Sequence, residues 1–155
     1  MESSEYIDKI SEEWKVIAEK RKLNYSDYSD YNDSNRFAFC RELEHKNLKE
    51  KYAVIRLQQV KHDSEQCVIY FYIYRHYNGY NVYKRFFDKH YVFDTVEQAY
   101  KFIKAINVEQ VMCIMSNLYF NYNFDTKTVL LPAKQQSEFI QLKNFLELQY
   151  ALSFV

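Results

Sequence analysis

Tyr70, Tyr72, Tyr74 and His76 recur at every second residue, and Tyr83 and Arg85 resume the pattern after Asn78-Gly79. A two-residue period places side chains on one face of a strand. Flat rings mixed with a guanidinium serve two kinds of recognition. They stack single-stranded bases, or they anchor a protein interface, where Tyr and Arg bury much area at little entropic cost. A second constellation precedes this one. Tyr25, Asp27, Tyr28, Asp30, Tyr31 and Asp33 interleave rings with negative charge, an arrangement that imitates a nucleic-acid strand and fits an arginine-lined groove. The candidate partner-binding residues are therefore Tyr70, Tyr72, Tyr74, His76, Tyr83 and Arg85, with Tyr25, Asp27, Tyr28, Asp30 and Asp33 on the acidic segment.

Patterns for catalysis are weaker. Glu44-His45-Lys46, with Asp30 and Asp33 upstream, has the residue types of a metal-dependent nuclease, in which carboxylates hold the ion and a lysine activates water. The same spacing recurs at Glu13-Trp14-Lys15, inside a predicted helix. His45, His62, His76 and His90 form no i,i+4 pair and stand at no metal spacing from a cysteine. Cys40, Cys67 and Cys113 are widely separated and odd in number, which points to free, mostly buried thiols rather than a disulfide framework or a zinc site. The single glycine, Gly79, leaves none for a phosphate-cradling loop. No catalytic residue, metal ligand or cofactor is assigned.

The elements that must position these residues follow from periodicity. Ile7, Ile10, Trp14, Ile17 and Arg21 define an apolar stripe on a helix over 4–22, capped by Ser3 or Ser4. The tract 24–35 has no apolar period and is rich in Asn, Asp and Ser, so it reads as a polar loop. Alternation then predicts strands over 36–44, 52–61, 66–77 and 80–87, within an antiparallel sheet region 36–93. Asn78-Gly79 is the strongest local hairpin signal. As a two-residue turn it sets Arg75 opposite Val82 and Phe71 opposite Phe86, with Phe87 on the tyrosine face. Asp94-Thr95-Val96-Glu97 reads as a capping box, with Asp94 opening a helix that Asn107 interrupts before a second one. A short strand over 128–131 and Pro132 precede a last helix over 134–151, striped by Phe139, Leu142, Phe145 and Leu146. The expected fold is α+β: an antiparallel sheet of about four to five strands built around the hairpin, with three to four helices mainly on one face. The helical part spans 94–152, and 1–155 is read as one domain.

Composition narrows the function. The 21 basic and 21 acidic residues cancel, whereas a sequence-independent nucleic-acid binder carries a basic excess. Residues 1–35 hold five basic and nine acidic groups and residues 36–62 seven and three, a dipolar distribution. No stretch approaches a membrane span, and Met-Glu-Ser-Ser-Glu has no apolar run behind it, so a cytoplasmic protein is expected. Abundant Lys, Asn, Tyr, Phe and Ile beside one Gly and one Pro match an AT-rich genome by codon association. The general profile resembles small phage or mobile-element proteins that block host machinery, including anti-CRISPR inhibitors. The expected function is non-enzymatic: binding a host protein, such as a nuclease or another nucleic-acid enzyme, and occluding it sterically. A single-stranded nucleic-acid-binding module using the tyrosine ladder is the alternative, followed by a metal-dependent nuclease.

Overall fold

The computed structural model describes residues 3–28, 40–46, 51–60, 64–76, 83–121 and 136–155. Its order is α1 (Ser3–Arg21), β1 (Leu23–Tyr28), β2 (Cys40–His45), β3 (Lys51–Gln59), β4 (Cys67–His76), β5 (Tyr83–Phe93), α2 (Val96–Ile106), α3 (Val108–Phe120) and α4 (Gln136–Leu152). The strands form one antiparallel five-stranded sheet in sequence order. The fold is α+β, as the sequence predicts.

The odd-numbered strand residues, among them Leu43, Ile55, Leu57, Ile69, Phe71 and Ile73, share one cluster with the apolar stripes of all four helices. Helix α1 packs on β1 and β2, α3 on β3, α2 on β4 and β5, and α4 on β5. Even-numbered Val54, Val68 and Tyr72 are buried but lie outside that cluster. The helices described here therefore occupy one face, and the tyrosines of β4 lie on the other.

Three predicted features are corrected. First, the tract 24–35 begins as a strand: β1 pairs with β2 in register, Leu23 opposite His45 through Tyr28 opposite Cys40. Its polar residues adopt strand geometry because Leu23 and Tyr25 pack on the core while β2 satisfies the backbone. Second, the hairpin register differs. Arg75 pairs with Lys84 and Phe71 with Lys89, and a bulge interrupts the ladder at Ile73/Tyr74. Phe87 consequently pairs with Ile73 and enters the core rather than joining the tyrosine face. Third, the cap of α2 is Thr95, which accepts from the Gln98 backbone while the Gln98 side chain returns to the Thr95 N–H. The box sits one residue later than predicted, because Thr95 rather than Asp94 has the extended cap conformation. The Asn78-Gly79 turn, the strand over 128–131 and Pro132 lie outside the described residues.

With one glycine in the chain, left-handed positions fall to other residues: Lys22 (φ 57°) ends α1, and Asn107 (φ 56°) joins α2 to α3. Asn107 also accepts from the Gln110 N–H at 3.3 Å, capping α3. Asparagine tolerates this region through local hydrogen bonding, whereas a left-handed residue with an ordinary side chain is disfavoured by roughly 1–2 kcal/mol. Asn107→Ala, which loses both the tolerance and the cap, is expected to lower unfolding free energy by about 1–3 kcal/mol. Lys22→Gly, which relieves only backbone strain, should raise it by about 0.5–1 kcal/mol. Urea denaturation of both variants against the parent chain measures the two shifts.

Candidate functional site

The face opposite the helices is organised by a row of charge and ring contacts crossing four strands. Glu42 on β2 forms an ion pair with Arg56 on β3. The Arg56 guanidinium lies 5.9 Å from the Tyr72 ring centroid, and the Arg85 guanidinium stands over the same ring at 4.2 Å. Arg85 then pairs with Asp88 at 3.1 Å on β5. Tyr72 thus sits between two cations and is only 6% exposed. Burial raises its phenol pKa, outweighing the opposing pull of Arg85.

Around that row lie the more accessible rings. Tyr52 of β3 pairs in register with Tyr74 of β4, and the two stack at 4.6 Å and 17°. Tyr70 tilts against Tyr72 at 5.4 Å and against His90 at 5.9 Å. Tyr52, Tyr70 and Tyr74 are half-buried, whereas Arg85, Asp88, His90 and Val92 are exposed. The structure therefore brings Tyr70, Tyr72, Tyr74 and Arg85 together, with Tyr72 as a buried support rather than an exposed anchor. His76 and Tyr83 pair at the last described position of the β4–β5 ladder; their side chains lie outside the described part.

Glu42, Tyr52, Arg56, Asp88 and His90 of this face are absent from the sequence-based set. Tyr52 and Arg56 share the alternation opposite Ala53, Ile55 and Leu57, so the β3–β4 register would have revealed them. Asp88 and His90 were hidden because the predicted strand stops at 87, while β5 continues to Phe93.

The acidic segment divides differently. Tyr25 and Asp27 turn to the helix side of β1. There Ser11 Oγ donates to Asp27 Oδ2 at 2.8 Å and lies 2.6 Å from the Tyr25 hydroxyl, which itself reaches Asp27 Oδ2 at 3.2 Å. Buried Arg41 completes the group with an ion pair to Asp27 Oδ1 at 2.5 Å. This cluster fastens β1 to α1 and β2, so Tyr25 and Asp27 are engaged within the fold. Tyr28 ends β1 opposite Cys40, its side chain being outside the described part, as are Asp30 and Asp33 entirely.

The nuclease-type triplet is split by strand alternation. Glu44 stands on the tyrosine side, its pKa raised by burial and then by Glu42. His45 meets Phe120 of α3 edge-on at 5.1 Å on the other side, and Lys46 lies in the turn after β2. In the second triplet, Glu13 pairs with Lys104 while Trp14 is fully buried. No group of three or more His, Cys, Asp or Glu that could hold a metal occurs among the described residues. Cys40 and Cys67 are buried thiols outside any disulfide, and burial pushes Cys67 up to about 12. A groove of about 650 Å³ between α1 and the α2–α3 junction is lined by Trp14, Tyr100, Lys9, Lys104, Glu13 and Glu109. Lys104 binds Glu13, Arg21 and Lys20 hold Glu109 below the usual carboxylate range, and Lys9 lies over the Tyr100 ring at 6.0 Å. No helix of the described residues is long and apolar enough to cross a membrane.

Comparison with family models, with curated proteins and with solved structures returns no match.

Burial raises the Tyr25 pKa to about 12 and also raises those of Tyr72 and Tyr91. A phenol whose folded pKa exceeds its unfolded value of about 10 stabilises the fold fully below pH 10, and that contribution is lost as pH rises through the folded value. Stability should therefore fall between about pH 10 and 12. Tyr25→Phe, which removes one of these protons, should flatten the decline; an unchanged slope in urea titrations over this range would show that Tyr25 does not contribute.

Proposed function

We propose that the chain is a non-enzymatic protein that binds another protein through the tyrosine face of its sheet. The observation that carries this reading is the combination on one face of half-buried Tyr52, Tyr70 and Tyr74 with exposed Arg85 and His90, while the four described helices pack on the opposite face. Rings held by stacking and by cation–π contacts are pre-ordered, so docking costs little conformational entropy. Electrostatics favour a protein over a nucleic acid as partner. Arg56 and Arg85 are already paired with Glu42 and Asp88, and Glu44 adds a further carboxyl. Such a face offers no excess cation to displace counterions from phosphates.

The more specific form of the proposal is that the chain acts as a phage or mobile-element inhibitor in the host cytoplasm, covering the working surface of a nucleic-acid enzyme. Tyrosine content and AT-rich codon character support that form. Of the acidic segment, Tyr25 and Asp27 are engaged within the fold and form no part of this proposal.

The test compares the intact chain with a Tyr70→Ala, Tyr74→Ala double variant. Affinity capture from a bacterial lysate should retain one nucleic-acid enzyme, and purified components should show the double variant binding it about 10–100-fold more weakly. Equal binding by both forms would remove the sheet face from the mechanism. Tight, steeply salt-dependent binding of a single-stranded oligonucleotide, lost on Arg85→Ala, would instead establish the nucleic-acid-binding alternative.

A further inference from the structure

Helix α4 carries two apolar stripes, and only one is used within the fold. Phe139, Leu142 and Leu146 enter the core. Another set, Ile140 (51% exposed), Phe145 (39%, expected from the sequence on the core stripe), Leu148 (57%) and Leu152 (53%), faces away from it. At roughly 100° per residue, these four fall within an arc of about 140° of the helix circumference, together with Ser137, Gln141, Asn144 and Ala151. No Lys, Arg, Asp or Glu lies in that arc. The solvent side of α1, by contrast, carries Asp8, Glu12, Lys15 and Glu19. The exposed side of α3, with Gln110, Ile114, Asn117 and Phe120, is also uncharged, but it carries two large apolar residues against four on α4.

The spacing identifies the kind of surface that fits it. Gln141, Phe145, Leu148 and Leu152 are separated by four, three and four residues, the a/d repeat of a helix seam that packs knobs into holes. The matching partner is another helix with the same repeat, and a second copy of this chain supplies one. A charge-free stripe can face itself across a two-fold axis without opposing like charges, as an isologous interface requires. The area also suffices. The four exposed side chains and their flanks offer about 500 Å² per copy, so pairing removes on the order of 1,000 Å², the lower bound for a specific interface. Among the described residues Phe145 has no ring partner, whereas nearby Tyr150 and Phe154 are packed on Phe93.

From these observations we propose that the chain self-associates into a two-fold dimer through the outer stripe of α4. The dimer does not depend on the tyrosine face. Sedimentation velocity of the full chain from about 1 to about 500 µM should show a monomer–dimer equilibrium, as expected for an interface near the lower size bound. Leu148→Glu with Leu152→Glu should weaken association at least about 100-fold with the circular dichroism spectrum unchanged. Leu148→Gln, a neutral exchange at an exposed position, provides the same comparison if the charged variant misfolds, with about a 10-fold weakening. Val16→Glu on α1 and Tyr74→Ala on the sheet should dimerise like the parent. A chain that stays monomeric at the highest concentration overturns the proposal, since the stripe would then serve a foreign protein or a segment of the same chain. So does a dimer that survives the α4 substitutions or is lost with Val16→Glu or Tyr74→Ala.

Discussion

Part-way along β5 the chain changes which residues it turns to the helices, and both faces of the sheet depend on that change. Near the hairpin end Arg85 pairs with Tyr74; after the bulge, Phe87 pairs with Ile73. One extra residue, Phe86, is accommodated and packs against the core with Phe87. Had the alternation continued unbroken from Arg85, Asp88 and His90 would point into the core, while Tyr91 and Phe93 would face away from it. Burying a large apolar side chain is worth about 1.5–3 kcal/mol, and burying an uncompensated carboxylate costs several. The bulge resolves this conflict. Tyr91 and Phe93 become the surface on which Phe102 and Tyr150 pack, and Asp88 and His90 reach the tyrosine side.

The same switch builds the charge row of the opposite face. Arg85 lies before the bulge and Asp88 after it, yet both reach that face, so they can pair at 3.1 Å while Arg85 covers Tyr72. Each cation in the row is matched by a carboxylate on a neighbouring strand or along β5. Such a layer orders the rings without creating a basic field. Among the described residues Arg56 and Arg85 are matched by Glu42 and Asp88, with Glu44 adding a further carboxyl, and the proposal of a protein partner rests on that lack of basic excess.

How much of this could be read from the sequence depended on whether the deciding interaction was local. The helices were read to within about two residues, because an apolar stripe at helical spacing is contained in its own segment. The break at Asn107 was readable for the same reason. The α+β class and the alternation of β3 and β4 were also accessible. The register of β5 was not. A turn signal at Asn78-Gly79 is local, whereas the demand that Tyr91 and Phe93 face inward comes from α2 and α4, far along the chain. The composition of the 24–35 tract likewise pointed to a loop, since its Asn, Asp and Ser favour turns. What makes residues 23–28 a strand is pairing with β2 and the Ser11–Tyr25–Asp27–Arg41 group, and neither partner is adjacent in sequence. The same non-local pairing reassigned Tyr25 and Asp27 from a presented surface to a fastening of the fold. Tyr70, Tyr74 and Arg85 kept their place because their shared face survives a register shift of two residues.

Helix α4 shows how one edge of the sheet is finished. Among the described residues β5 is an edge strand, and edge strands expose backbone groups that can pair with other chains. Tyr150 donates to the Val92 carbonyl at 2.7 Å and Lys89 pairs with Glu147, so α4 is held to β5 by polar contacts as well as by Phe139, Leu142 and Leu146. The core-facing side of α4 is thus occupied in covering β5, and its outer stripe has no role in that task. Phe145, Leu148 and Leu152 cannot be accounted for by the needs of the sheet, because the helix would dock as well with charged residues there. Like the uncharged outer side of α3, where Ile114 and Phe120 are exposed, this stripe lies outside the described core, and the proposed dimer contact rests on it. The tyrosine face differs from it in kind, being polar, internally paired and built across strands. The molecule therefore presents two surfaces of distinct chemistry on opposite layers, and occupying one does not require disturbing the other.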